Sequence, residues 1–373
     1  MKKRDFKNTI RNIHLWLGLA TGLVVFIISI TGALYIFEEE IRDFTQKDFR
    51  YVGLQEKPFI GLDKVISGFE KLSPKDELRL IRIEDALPNA TVELTSKKGK
   101  VYYFNPYNAS LVKKGGEDWL QVVEHVHTSL LLGKTGKFII EWSVVIFILM
   151  LITGLILWFP SQMRLLKQSL TIKRKASFKR LNYDLHNVLG FYASVILLIT
   201  ALSGLYFAFK EVKNAASFFT GSKLGQGKAI VSANPTHIDS LPVRYNKIYT
   251  EAKIKYPGAI STSFSLRGKG ELRLRMIYPY RWARKQNTFF YEEATGRMIR
   301  AKLYKDFNGA DLIEATNYDL HTGRLLGLPN KIISLLAALV AASLPITGFI
   351  IWWKKRKQHK KNHKIFNIDS AYV

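Results

Sequence analysis

Three features of the sequence predict a membrane α-helical fold: four long apolar runs, basic clusters abutting those runs, and a repeat relating the first half of the chain to the second. Together they predict a four-helix transmembrane bundle with internal duplication, carrying two small α+β domains outside the membrane.

The runs are Leu15–Phe37, Phe138–Pro160, Asn187–Phe209 and Ile332–Trp353. Each holds twenty or more mostly apolar residues with no Lys or Arg in its middle. About 20 helical residues cross the hydrocarbon of a bilayer. The first run is too long for the core of a signal peptide, and no small-residue cleavage site precedes Glu38-Glu39-Glu40, so it is expected to be retained.

Charge sets the expected orientation. The N-terminus reads Met1-Lys2-Lys3-Arg4. Ser161 to Arg180 carries Arg164, Lys167, Lys173, Arg174, Lys175, Lys179 and Arg180 and no acid, and the tail opens with Lys354-Lys355-Arg356-Lys357. With four spans these clusters share one side, and the positive-inside rule makes it the cytoplasm. Both termini are then cytoplasmic and both long segments external. The net charge of +26 comes largely from these flanks and fits contact with anionic lipid. The basic residues hug the spans and form no folded basic module, so nucleic acid is not an expected partner.

The expected organisation is a tail and first helix over 1–37, a first external domain over 38–136, a second helix over 137–160 and a basic loop over 161–183. A third helix over 184–209, a second external domain over 210–330, a fourth helix over 331–353 and a basic tail over 354–373 complete it. In the first external segment, 62–72 reads as an amphipathic helix and 77–84, 90–95 and 100–105 as strands. In the second, 238–256 reads as a helix, 260–266 and 271–277 as a hairpin, and 287–291 as a strand.

The duplication is in register. His14, Gly18, Thr31-Gly32 and Tyr35 match His186, Gly190, Ser203-Gly204 and Phe207 without a gap. His127-Thr128, Leu131, Gly133, Lys137, Thr153-Gly154 and Trp158 match His321-Thr322, Leu325, Gly327, Lys331, Thr347-Gly348 and Trp352. The halves run parallel, which calls for a pseudo-twofold axis along the membrane normal.

Four of the eight histidines open or precede the four runs: His14, His127, His186 and His321. Neutral imidazole is the commonest side-chain metal ligand, and ionisable groups at membrane depth are functional candidates by default. One such histidine alone is as readily a cap or a headgroup contact. Four in register point to ligands. The topology puts His14 and His186 near the cytoplasmic face and His127 and His321 near the outer face. Each pair comes from two helices related by the duplication, an arrangement that sets two imidazoles on opposite sides of one porphyrin. Cysteine is absent, so a haem here is non-covalent and b-type, and two are expected. Glycines between His127 or His321 and the following span suggest a short surface helix carrying each.

His125 is the alternative ligand to His127, although residues two apart do not share a helix face. Arg324, Lys134 and Arg11 are candidate partners for haem propionates or else lipid charges. Glu141 is a candidate for an internal cavity, proton or metal site. Asp184 and Asp319, in the repeated Asn-Tyr-Asp-Leu-His, read as helix N-caps in preference to imidazole partners. Gly32, Gly154, Gly204 and Gly348 read as close helix-packing positions. Trp16, Trp142, Trp158, Trp352 and Trp353 read as interfacial belts. His237, His359 and His363 read as solvated. No nucleotide-binding glycine motif is present, so electrons come from membrane quinol or a cytoplasmic reductase.

The span motifs around His14, His127 and His321, and the turn Glu292-Glu293-Ala294-Thr295-Gly296 after an aromatic strand, resemble the PepSY-associated transmembrane proteins. The turn at Asn105-Pro106-Tyr107-Asn108-Ala109 fits more loosely. The resemblance covers both halves and implies that the external segments are PepSY-like and periplasmic. It further implies a haem-containing ferric-siderophore reductase of the bacterial inner membrane, an oxidoreductase that reduces a ferric siderophore or another ferric chelate. Two other readings remain open at this point. One is a membrane-anchored PepSY protein that binds and regulates an exported protease or sensor. The other is a membrane carrier for haem or a metal complex.

Overall fold

The computed structural model describes residues 3–369 except 117, 226, 231–238, 267 and 269; the side chains of residues 3, 4 and 358–369 are also outside the description. His237 and the side chains of His359 and His363 therefore lie outside the described residues. The helices used below are α1 (Lys3–Tyr35), α2 (Leu62–Leu72), α3 (Trp119–Ser129), α4 (Gly133–Trp158), α5 (Gly190–Ala208), α6 (Leu241–Lys255), α7 (Gly309–His321) and α8 (Leu328–Asp369). The chain forms two compact units: Met1–Phe37 with Val122–Val212 and Asp319–Val373, and Glu38–Gln121 with Lys213–Tyr318.

The first unit is the membrane bundle. Four helical stretches, Asp5–Tyr35, Gly133–Trp158, Phe178–Ala208 and Leu328–Lys357, are long and apolar enough to cross a bilayer. Around the ring α1 packs on α4 and α8, and α5 packs on α4 and α8. The side chains are sorted for lipid. Large apolar groups such as Leu23, Val195 and Leu336 point outward, while Ala193, Ala201, Ala337 and Ala341 are buried. With no hydrophobic drive between helices in lipid, small residues at the interfaces let backbones approach and pack. One span is irregular: Phe178–Asp184 enters a π-helical turn, Leu185–Leu189, before α5.

The second unit is α+β. Its strands are β1 (Leu78–Ile83), β2 (Val92–Ser96), β3 (Val101–Phe104), β4 (Leu111–Gly115), β5 (Lys228–Ala229), β6 (Ser261–Leu266), β7 (Glu271–Tyr278), β8 (Lys285–Glu292) and β9 (Met298–Lys302). They form one sheet in the order β4-β3-β2-β1-β6-β7-β8-β9-β5. The two external segments, expected as separate small domains, thus meet edge to edge. β1 and β6 pair antiparallel, with Ile81 opposite Phe264 and Arg82 opposite Ser263. The fusion has a physical reason, because it removes one exposed edge from each half-sheet.

Alternation along the strands faces one side of the sheet to a core. Ile81, Leu94, Tyr102, Phe264, Leu274 and Phe289 are fully buried there under α2 and α6. The amphipathic helix expected at 62–72 appears as α2, burying Leu62, Val65, Ile66 and Phe69. Strands β4 and β9 were not expected. β4 reads Leu-Val-Lys-Lys-Gly and has no buried residue, so hydrophobic patterning carries no sign of it.

Candidate functional site: two imidazole pairs

The site is built from four copies of one local arrangement. His14 Nδ1 lies 2.9 Å from Thr153 Oγ1. His186 Nδ1 lies 2.8 Å from Thr347 Oγ1. His127 Nδ1 lies 3.1 Å from Thr31 Oγ1, and His321 Nδ1 lies 2.9 Å from Ser203 Oγ. Each hydroxyl sits on a span that faces its histidine, and each is followed by a glycine.

These contacts determine where the imidazole proton sits. A hydroxyl has one hydrogen to donate. Thr153 Oγ1 gives it to Leu149 O at 2.8 Å, and Thr347 Oγ1 to Ser343 O at 2.9 Å. Thr31 Oγ1 gives it to Ile27 O at 2.8 Å, and Ser203 Oγ to Thr200 O at 2.7 Å. The hydroxyl oxygens therefore accept from Nδ1–H. At three sites a backbone carbonyl, which only accepts, makes the same point: His127 Nδ1 also donates to Ile28 O at 2.9 Å, His321 Nδ1 to Thr200 O at 3.1 Å, and His186 to the Leu344 carbonyl. Nδ1 carries the proton in all four rings, and Nε2 keeps its lone pair. No hydrogen bond to any of the four Nε2 atoms occurs among the described residues. Burial holds His127 and His321 below the ordinary histidine range, which keeps them neutral.

The glycines make room for the rings. A Cβ on Gly32 would stand 3.0 Å from His127 Cε1, and one on Gly204 would stand 3.2 Å from His321 Cε1. The corresponding distances are 3.4 Å from Gly154 to His14 and 3.2 Å from Gly348 to His186. Their sequence reading as helix-packing glycines is corrected: each faces an imidazole edge. The Thr/Ser-Gly dipeptides were visible in the repeat, but nothing in one dimension tied each to a histidine on another helix.

The rings meet in two pairs. His14 and His186 have centroids 6.4 Å apart, and His127 and His321 have centroids 6.1 Å apart. Thr31, which holds His127, is seventeen residues along α1 from His14, or about 25 Å at 1.5 Å per residue. The pairs therefore lie toward opposite ends of the bundle. Each pair joins the two halves of the duplication, while each hydroxyl contact stays within one half.

An imidazole nitrogen lies about 1 Å from its ring centroid and about 2 Å from a metal it binds. Two imidazoles on opposite sides of one metal are thus separated by about 6 Å, which both pairs match. No group of three or more metal-binding His, Asp or Glu side chains occurs among the described residues. Two imidazoles at this spacing, with no third His, Asp or Glu grouped with them among the described residues, fit a metal that brings its own equatorial ligands, as haem does.

The remaining candidates fall outside the pairs. His125 is exposed on α3, while His127 turns toward Thr31. Arg324 is half-buried three residues beyond His321, Lys134 is exposed, and exposed Arg11 donates to Asn8 Oδ1 at 2.9 Å. Glu141 lies 3.6 Å from Lys137, one turn earlier on α4. The N-cap reading of Asp184 and Asp319 is corrected. Both lie at the ends of helical runs and are buried. Asp184 binds Arg180 Nε at 2.9 Å and accepts from Lys173 N at 3.2 Å, tying the basic loop to the π-turn. Asn182 donates to Thr347 O at 3.0 Å, fixing the segment that carries His186 against the residue that holds its ring.

An internally duplicated four-span bundle with an α+β unit is the class these features define. The family model for the PepSY-associated TM region matches residues 11–355, and the chain belongs to that family. No curated protein matches the sequence.

Proposed function

We propose that this is a dihaem b-type electron-transfer protein that reduces ferric siderophores or related ferric chelates outside the bacterial inner membrane, with both termini in the cytoplasm. The observation that carries this reading is the pair of imidazole pairs, each about 6 Å across with Nε2 atoms lacking partners. His14 and His186 would hold one haem, and His127 and His321 the other. A haem bound this way supplies a one-electron Fe(III)/Fe(II) couple.

The residues around it have separable tasks. The histidines bind through Nε2. The Thr and Ser hydroxyls keep the proton on Nδ1 and fix each ring plane. The apolar spans exclude water from both sites. Quinol or a cytoplasmic reductase is the electron source, and the basic flanks rest on anionic lipid. Iron reduced to Fe(II) is held less tightly by hard oxygen ligands and is released.

The test uses detergent-purified protein expressed with ample haem. Its visible spectrum and pyridine haemochrome count should give two b-type haems per chain. Stopped-flow mixing of the reduced protein with ferric siderophores should then reoxidise it, with Fe(II) appearing on a ferrous chelator. A colourless protein removes the haem reading. Reducible haems that no ferric complex reoxidises faster than oxygen-free buffer remove the reductase reading.

A further inference from the structure

The sheet unit holds a cavity of about 350 Å³ where α2 and α6 meet over the end of β1. Its floor is apolar, from Ile66, Phe69 and Leu266, and its rim carries Glu70, Glu77 and Glu293. No Lys or Arg lines it among the described residues. Glu77 is paired with Lys97. Arg244, nearby on α6, spends its guanidinium on backbone carbonyls, Glu293 O at 2.5 Å and Asp239 O at 2.7 Å.

Two further lining residues carry buried polar atoms that nothing satisfies. Tyr245 is 0% exposed, and its hydroxyl has no hydrogen-bond partner. Burial first and then the Glu293 carboxylate raise its phenol. Asp76 Oδ1 is likewise buried without a partner. Buried polar groups are nearly always paired, and an orphan is destabilising.

One turn along α6 a tyrosine and an aspartate are both satisfied. Tyr249 donates to Asp85 Oδ1 at 2.6 Å. The Lys253 ammonium then binds both, Asp85 at 2.9 Å and Tyr249 Oη at 3.1 Å. At that end the chain supplies its own ammonium on an aliphatic stem to a Tyr–Asp pair. At the Tyr245 end it supplies none.

We propose that the cavity binds an organic ammonium on an aliphatic stem, with Asp76 and Tyr245 receiving the charged head and Ile66, Phe69 and Leu266 the stem. Three N–H donors meet Asp76 Oδ1, Tyr245 Oη and one rim carboxylate. Such a head comes from a free alkylamine or from the lysine side chain of a peptide. The site is independent of the histidine pairs.

Calorimetry on the full detergent-solubilised chain tests it with four probes: n-butylammonium chloride, 1-butanol, the tripeptide Gly-Lys-Gly with its N-terminus acetylated and its C-terminus amidated, and the same blocked peptide with the lysine acetylated. The ammonium or the lysine peptide should bind saturably, whichever is the natural source, and the alcohol and acetyl-lysine peptide should not. Asp76→Asn and Tyr245→Phe should each weaken binding at least tenfold. The thermal midpoint without ligand should be unchanged or raised in Tyr245→Phe, because an orphaned hydroxyl is removed. Saturable binding by neither cationic probe overturns the proposal. So does equal binding of charged and neutral probes, or equal binding by both variants and the parent.

Discussion

The two imidazole pairs reach the same spacing by different routes. His14 and His186 are carried inside membrane-spanning stretches, His14 by regular helix and His186 by the π-helical turn Leu185–Leu189. His127 and His321 sit at the ends of the separate helices α3 and α7 and turn back toward α1 and α5 through linkers of unusual backbone. Leu130, Leu131 and Gly133 follow His127 with φ of 50°, 59° and 56°. Gly323, Leu326 and Gly327 follow His321 with φ of 70°, 67° and 72°. The hydrogen bonding sets one ring apart: His127, His321 and His186 each have a carbonyl partner, from Ile28, Thr200 and Leu344, as well as a hydroxyl, while the partner of His14 is the Thr153 hydroxyl. One site is set within the spans, and the other by a turn of left-handed backbone.

The largest effect that sharpens this contrast comes from removing ligands. His14→Ala and His186→Ala should each lower the haem count from two to one, and the double variant should also retain one. His127→Ala and His321→Ala should remove the other haem. Pyridine haemochrome counts with low-temperature spectra distinguish the two. A pairing across the pairs, with the His14/His186 double losing both haems, breaks the scheme. If His125→Ala removes a haem and His127→Ala does not, the ligand assignment on α3 is wrong.

The histidines, their duplication and the spans were legible because each depends on residues close in sequence or repeated at fixed offset. The α2 helix and β1, β2, β3, β6, β7 and β8 were legible through their hydrophobic period. The Thr/Ser–imidazole contacts were not, because Thr153 is 139 residues from His14 and no local pattern encodes the distance. The edge pairing of β1 with β6 was hidden for the same reason. Asp184 misled because Asp at a helix start is a common cap, whereas here the helix begins at Phe178, six residues earlier. The sequence reading also placed His127 and His321 in external domains. The compact units divide at Gln121 and Tyr318 instead, so both histidines belong with the bundle whose spans hold their rings.

A smaller effect probes the carbonyl partners. Thr153→Val removes the hydroxyl acceptor from Nδ1–H of His14. Thr347→Val, Thr31→Val or Ser203→Ala leaves the carbonyl of Leu344, Ile28 or Thr200 in place. An imidazole whose N–H loses its acceptor is a poorer donor to iron, so Fe(II) is favoured and the midpoint potential rises. A neutral hydrogen bond of about 1 kcal/mol corresponds to roughly 40 mV for one electron. The shift should be near that size for Thr153→Val and clearly smaller for the other three variants. Equal shifts in all four would mean that the carbonyl contacts do not share the bond. A fall in potential would reverse the sign argument altogether.

The smallest effect concerns the strained turn itself. A left-handed backbone costs a residue with a side chain about 1–2 kcal/mol, and Leu131 adopts it while 59% exposed. Leu131→Gly removes that cost and forfeits little burial within the protein. Glycine also gives the unfolded chain more freedom, which returns roughly 0.5–1 kcal/mol. The net gain is therefore at most about 1.5 kcal/mol, a rise of a few degrees in thermal midpoint. Leu131→Asn separates the contributions, because asparagine tolerates the left-handed region without glycine's entropy. If strain is the operative quantity, both variants are more stable than the parent and keep the His127/His321 haem. If both are less stable, the Leu131 side chain is anchored by lipid. The turn would then be held by that contact, and the strained route to the second pair would stabilise the bundle where it meets the bilayer surface.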